Sequence, residues 1–224
     1  MSDVQVKICG LTTPEDARVA DDLGADYLGM ILSQGFGRSV LLDTAVDIKQ
    51  AVDAPLVAVF VNEPISEVVQ IGRMIGVSVI QLHGEEGLDY LEELRCEGDW
   101  AIWKAVQVRD RVTAIDAVRA FGCSVDGVLM DGWQEGYPGG SGVSFSWVEL
   151  SSVRLEIPTP VDLIVAGGLE PKNVTGAIRA MRPDIVDVSS GVELREGRKD
   201  PDLIQSFIRN ARAGEDPVSG LRAT

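Results

Sequence analysis

Eight times along the chain a short apolar run gives way to a longer amphipathic stretch, and this alternation restricts the fold more than any other feature of the sequence. The runs fall at 4–8, 27–32, 56–61, 79–82, 101–106, 127–130, 163–166 and 185–188. They are almost unbroken in hydrophobic residues, as in strands covered on both faces. The stretches between them carry helix signals. Thr13 stands at a capping position ahead of Pro14, which suits the first turn of a helix over 14–23. Val68, Val69, Ile71 and Ile75 repeat at helical spacing within 65–75. Further helices are expected at 42–51, 87–97, 111–120, from Trp147, at 173–181 and at 201–213. Eight strand-then-helix units in about 210 residues favour a closed (β/α)8 TIM barrel of the α/β class over an open doubly wound sheet. One domain is expected over 1–213, followed by a flexible C-terminal tail at 214–224.

Charge and cysteine usage narrow what such a barrel does. Apolar runs never approach membrane-spanning length, so no membrane association is expected. The opening Met1-Ser2-Asp3-Val4 lacks a basic stretch followed by an apolar one, and a secretory signal is not expected. Cys9, Cys96 and Cys123 form no C-x-x-C pair and no metal-ligand spacing. That fits free thiols in a reducing cytoplasm, with no bound metal. The formal charge is −15 and the pI near 4.4. Nucleic acid is therefore excluded as a partner, because phosphate backbones need a positive surface. Five lysines stand among the 20 basic residues, and acidic pairs such as Asp21-Asp22 and Glu92-Glu93 are dispersed. An ordinary acidic enzyme is one reading. The usage favours another, a protein of a salt-loving organism, where ionic strength screens self-repulsion.

In such barrels the chemistry gathers where strands end. Polar or glycine residues stand at every exit: Cys9, the 33–39 loop with Arg38, Asn62, His83, Gln107, Asp131, Gly167-Gly168 and Ser189-Ser190-Gly191. Cys9 and Asp131 each end an apolar run and precede a glycine, which makes them a candidate base and acid over one pocket. A cysteine at a strand end reads equally as a small buried hydrophobe. Lys7 points to the same side as Cys9, and a nearby ammonium favours thiolate. A lysine facing the barrel interior needs a partner, and Asp187 on the closing strand is the candidate, its head expected within about 6 Å. Gly167, Gly168, Ser190 and Gly191 lie after strands seven and eight, where barrels often cradle phosphate, although tight corners alone also use glycine. Arg38 is either an anion contact or one more surface arginine. His83, the sole histidine, is either a ligand contact or a structural hydrogen-bonding residue. Trp100 and Trp103 are expected between barrel and helices, and Cys96 and Cys123 to be structural.

At Lys7-Ile8-Cys9-Gly10-Leu11-Thr12, Gln81-Leu82-His83-Gly84-Glu85-Glu86, Gly139-Gly140-Ser141-Gly142 and Asp187-Val188-Ser189-Ser190-Gly191-Val192-Glu193 the chain resembles the phosphoribosylanthranilate isomerases of tryptophan biosynthesis. The likeness runs over about residues 4–213, in order and at matching spacing. It implies the Amadori rearrangement of a phosphorylated small molecule, N-(5'-phosphoribosyl)anthranilate, to 1-(o-carboxyphenylamino)-1-deoxyribulose 5-phosphate, without metal or organic cofactor. It further implies that Asp131 is the general acid, Cys9 the general base and Arg38 the holder of the anthranilate carboxylate. His83 would touch substrate, and Gly167, Gly168, Ser190 and Gly191 would bind its phosphate. Two stretches depart from the family pattern: the loop Ser33-Gln34-Gly35-Phe36-Gly37 before Arg38, and Val143, where the family commonly has lysine. Reduced affinity is the expected consequence. Alternatives are a broad-substrate phosphoribosyl aminoaldose isomerase and a phosphate-binding barrel without turnover.

Overall fold

In the computed structural model, which describes residues 4–132 and 147–214, eight parallel strands close into a barrel in sequence order. The strands are β1 (Gln5–Ile8), β2 (Tyr27–Ile31), β3 (Leu56–Phe60), β4 (Val79–Leu82), β5 (Ala101–Val108), β6 (Gly127–Gly132), β7 (Asp162–Val165) and β8 (Ile185–Val188). Closure pairs β1 with β8, setting Lys7 opposite Asp187 and Ile8 opposite Val188. Around them run α1 (Pro14–Asp22), α2 (Leu42–Ala51), α3 (Ile65–Ile75), α4 (Leu88–Arg95), α5 (Arg111–Phe121), α6 (Trp147–Leu150), α7 (Val174–Met181) and α8 (Pro201–Ala213). The expected (β/α)8 barrel is therefore the fold. The tail expected from 214 lies, beyond Gly214, outside the described residues. No helix among the described residues is long and apolar enough to cross a membrane.

Local signals explain where helices begin and end. The Thr13 hydroxyl accepts from the Asp16 N–H at 3.2 Å with Pro14 in the first turn. Asp200 does the same for α8, accepting from Asp202 and Leu203 ahead of a helix opened by Pro201. Among the described residues the sixth helix is the shortest, one turn continued by a 3-10 segment at Ser151–Glu156. Pro158 and Pro160 follow closely and oppose a longer helix, since proline lacks the N–H and restricts the residue before it.

Two hydrophobic layers hold the barrel. Ile8, Leu28, Ile80, Val128 and Val186 pack outward with helix residues such as Ile48, Val118 and Phe207. Val57, Val59, Trp103, Leu129, Ile164 and Ile185 fill the interior with Cys9. Trp103 thus lies inside the barrel, not between barrel and helices as expected, and meets Tyr27 edge-on with ring centroids 5.0 Å apart. Gly127 opposite makes the room, since a Cβ there would come within 2.7 Å of the indole. Trp100 packs against the outer layer as expected. Cys96 and Cys123 are exposed, so neither is a core residue.

One element has no counterpart among the expected ones. After β8 the chain makes a short antiparallel hairpin of β9 (Glu193–Arg195) and β10 (Arg198–Lys199), turning at Glu196-Gly197. Gly197 takes φ 73, a left-handed conformation that glycine adopts without a Cβ clash.

Candidate active site

The carboxyl ends of the strands enclose a cavity of about 350 Å³ lined by Cys9, Arg38, His83, Asp131, Gly167, Gly168 and Ser190, together with Gln81, Asp187 and Glu196. Of the eight residues given catalytic or substrate-binding roles, Gly191 alone does not line it. Its role is closeness: a Cβ at 191 would run into the Leu169 carbonyl, so glycine lets the loops after β7 and β8 touch. Gly167 and Gly168 both take left-handed φ, 79 and 66, which turns the chain sharply ahead of α7. A wider groove on the opposite barrel face, lined by Arg95, Cys96, Cys123 and Asp126 among others, contains none of the candidate residues.

The wall between β8 and β2 carries a buried charge pair and a thiol. Lys7 Nζ donates to Asp187 Oδ2 at 2.9 Å, the partner expected from strand alternation. Gly29 on β2 accommodates both Lys7 and Cys9: a Cβ there would stand 2.8 Å from Sγ and 3.1 Å from Lys7 Cε. Burial pulls the Lys7 pKa down, but Asp187 and then Cys9 outweigh it and the net shift is upward. Burial pushes the Cys9 thiol up, and Asp187 adds to this, against the opposing pull of Lys7 and Lys199. The expected thiolate is therefore corrected. The pull of Lys7 exceeds the push of Asp187, but burial is the largest influence and decides the direction.

Across the barrel, Asp131 is 2% exposed near the end of β6. His83 Nε2 lies 3.2 Å from Asp131 Oδ2, and Gln81 Nε2 lies 3.4 Å from His83 Nδ1. A neutral imidazole that accepts from Gln81 at Nδ1 carries its hydrogen on Nε2 and donates it to the carboxylate. His83 thereby meets the candidate acid, a link the sequence reading did not contain.

Arg38 reaches the cavity from the loop after β2. That loop is braced by the end of β3, with Ser33 Oγ accepting from the Val61 N–H at 2.8 Å, and from within by the Gln34 amide donating to the carbonyls of Leu32 and Val40. Its unusual composition is thus self-supporting. Arg38 Nε and Nη2 donate to the two carboxylate oxygens of Glu193, each at 2.8 Å, and Lys199 Nζ reaches Glu193 Oε1 at 2.8 Å. Burial opposes the Glu193 charge, but the hydrogen bonds from Arg38 and Lys199 prevail and hold its carboxyl below the usual range. Gln81, Lys199, Glu193 and Glu196 belong to the site and were not among the candidates. For Glu193 the signal was its place ending Asp187-Val188-Ser189-Ser190-Gly191-Val192-Glu193. Val143 and the Gly139-Gly140-Ser141-Gly142 motif lie outside the described residues. No group of three or more metal-ligating side chains occurs among the described residues.

A closed parallel barrel with a thiol, a carboxyl and two glycine loops around one cavity at the strand ends has the build of an acid–base enzyme of the (β/α)8 class. The family model described as N-(5'phosphoribosyl)anthranilate (PRA) isomerase matches residues 6–210. The N-(5'-phosphoribosyl)anthranilate isomerase of Trichlorobacter lovleyi is 38% identical over 211 residues, covering 93% of this chain and 98% of that protein. The crystal structure of phosphoribosyl anthranilate isomerase from Thermotoga maritima superposes with a TM-score of 0.83 at 32% identity, covering 94% of this chain and 99% of that one. A further isomerase structure, in complex with reduced 1-(o-carboxyphenylamino)-1-deoxyribulose 5-phosphate, gives a TM-score of 0.80 at 31% identity, with 94% and 99% covered. The chain belongs to the N-(5'-phosphoribosyl)anthranilate isomerase family.

Proposed function

We propose that this chain performs its family's reaction, the isomerisation of N-(5'-phosphoribosyl)anthranilate to 1-(o-carboxyphenylamino)-1-deoxyribulose 5-phosphate in tryptophan biosynthesis, with Asp131 as acid and Cys9 as base. Asp131 protonates the ribose ring oxygen as its bond to C1' breaks, and the anthranilate nitrogen lone pair forms the Schiff base. Cys9, as thiolate, removes the C2' proton, and the electrons move through C1' to nitrogen, giving an enolamine. Ketonisation at C2' with protonation of C1' completes the product. The division suits the chemistry, because one group must donate a proton while another accepts one. His83 donates toward the carboxylate that remains after Asp131 gives up its proton, and so acts as a positioning residue. Gly167, Gly168 and Ser190 offer backbone N–H groups to the phosphate beside the start of α7, with Gly191 holding the two loops together. Arg38, planar and permanently charged, takes the anthranilate carboxylate.

The presence of Cys9 and Asp131 in the lining of one cavity carries this reading. Acidic composition and free cysteines support a cytoplasmic setting of high ionic strength. The test is rescue of a tryptophan auxotroph lacking this step, together with turnover of purified protein. The unaltered chain rescues. Cys9→Ala and Asp131→Ala each lower kcat/KM by about 10²–10⁴ while folding normally, and do not rescue. Rescue by both variants would overturn the assignment.

A further inference from the structure

Arg38 presents three nitrogens, and two of them are committed. Nε and Nη2 hold Glu193, whose own carboxylate is 4% exposed and fixed by Lys199. The third, Nη1, has the Glu196 carboxylate 3.7 Å away, and Glu196 lines the same cavity. The approach is built into the backbone. Glu196 and Gly197 form the turn of the β9–β10 hairpin, and the Thr12 hydroxyl donates to the Gly197 carbonyl at 2.6 Å, pinning the turn to the loop after β1. Gly37, directly before Arg38, leaves the space that the carboxylate fills, because a Cβ there would collide with it. Yet the contact is loose. A separation of 3.7 Å exceeds hydrogen-bond length, and the Glu196 side chain is 63% exposed, open to water and salt.

We infer that Glu196 is a displaceable counter-ion of Arg38, occupying the place of the ligand's aromatic carboxylate until substrate drives it off. The inference rests on the reading that Arg38 receives that carboxylate. Glu193 and Glu196 then divide two tasks. The buried one keeps the guanidinium aimed, and the exposed one competes with substrate and sets how strongly an anion must bind to enter. A ligand without the carboxylate has no means of displacing Glu196 and leaves the pair in place.

The experiment compares the unaltered protein with Glu196→Gln and Arg38→Met, measuring KM for substrate and Kd for reduced 1-(o-carboxyphenylamino)-1-deoxyribulose 5-phosphate and for inorganic phosphate. Glu196→Gln is expected to lower KM and the analogue's Kd by about two- to fivefold at low salt, the range an exposed ion pair supports. Phosphate affinity stays as it was, since phosphate binds without meeting Arg38. In about 1 M KCl the difference between the two proteins contracts, because screening weakens an exposed pair. Gly37→Ala, which pushes the Glu196 carboxylate aside, shifts the analogue's Kd in the same direction. Unchanged or weaker analogue binding by Glu196→Gln, with Arg38→Met weakening it, overturns the counter-ion role alone. An Arg38→Met protein that binds the analogue normally overturns the carboxylate reading of Arg38, and the inference with it.

Discussion

Cys9 is 8% exposed, and its surroundings favour the neutral thiol over the thiolate that the proposed mechanism needs to accept the C2' proton. Lys7 does not reverse this, because burial outweighs its pull and Asp187, 2.9 Å from the ammonium, opposes it. A protonated base has to lose its proton before it can act, so kcat/KM should climb with pH on the alkaline side of neutrality and keep rising past the ordinary thiol value of 9.0. Cys9→Asp supplies a carboxylate whose ordinary pKa lies far below that of a thiol and should move that limb to lower pH, whatever it does to the absolute rate. A pH profile of the unaltered protein that stays flat from about pH 6 to 10 would exclude a resting neutral thiol at Cys9. His83 makes a separate prediction. Its bond to Asp131 at 3.2 Å is long, and the low end of the range for hydrogen bonds to charged groups, about 1.5 kcal/mol, is the fitting magnitude. His83→Ala should therefore lower kcat about tenfold with little change in KM, and His83→Gln, which retains a donor, should recover part of the loss. A rise in KM with kcat unchanged would instead make His83 a substrate contact.

The β9–β10 hairpin is the element that joins the site to the outer fold. Glu193 bridges Arg38 from the loop after β2 and Lys199 from β10, so one carboxylate ties three segments. Its folded pKa lies below the ordinary 4.5, and a depressed carboxyl contributes stability that is present above that value and is lost as pH falls through the folded one. Glu193→Gln should be less stable near neutrality by about 3–5 kcal/mol, because Lys199 is left buried without its counter-charge. The gap should narrow as pH drops below the ordinary 4.5, where the native carboxyl takes up its proton too. Urea unfolding of both proteins at neutral and acid pH measures this. A constant gap would mean that the loss is one of packing. Neither the hairpin nor its clamp was legible in the sequence, since strands of three and two residues built around Arg195 and Arg198 make no apolar run. The barrel was legible, because buried parallel strands write themselves as such runs. So was the Lys7–Asp187 pair, which needs only strand alternation and closure of β8 on β1. Trp103 was placed on the wrong side for the same reason the strands were found: with both faces apolar, composition does not mark which face is inside. The meeting of His83 with Asp131 depends on β4 and β6 flanking β5 in the closed sheet, which no local pattern encodes.

At the scale of the whole molecule the dominant quantity is the charge of −15 set against a substrate that bears a phosphate and a carboxylate. At low ionic strength the summed field of dispersed carboxylates repels the substrate before any contact forms, and slows its capture. Salt acts unequally on this field and on the site. The Debye length shrinks to about 3 Å at 1 M, so charges far from the cavity cease to be felt, while close and partly buried contacts are screened much less. Arg38, with its side chain 19% exposed, and the backbone groups of the glycine loops belong to the second kind. Long-range repulsion should therefore fade before short-range attraction does, and kcat/KM should rise from low to molar KCl. In the proposed mechanism the proton transfers take place on bound substrate, between groups, Cys9 and Asp131, that are at most 8% exposed, so kcat should vary less than kcat/KM. Circular dichroism at each salt concentration separates this from refolding, since self-repulsion also falls and stability rises with it. A kcat/KM that declines steadily with KCl while the protein stays folded would mean that the cations of the site, not the acidic surface, govern the approach of substrate.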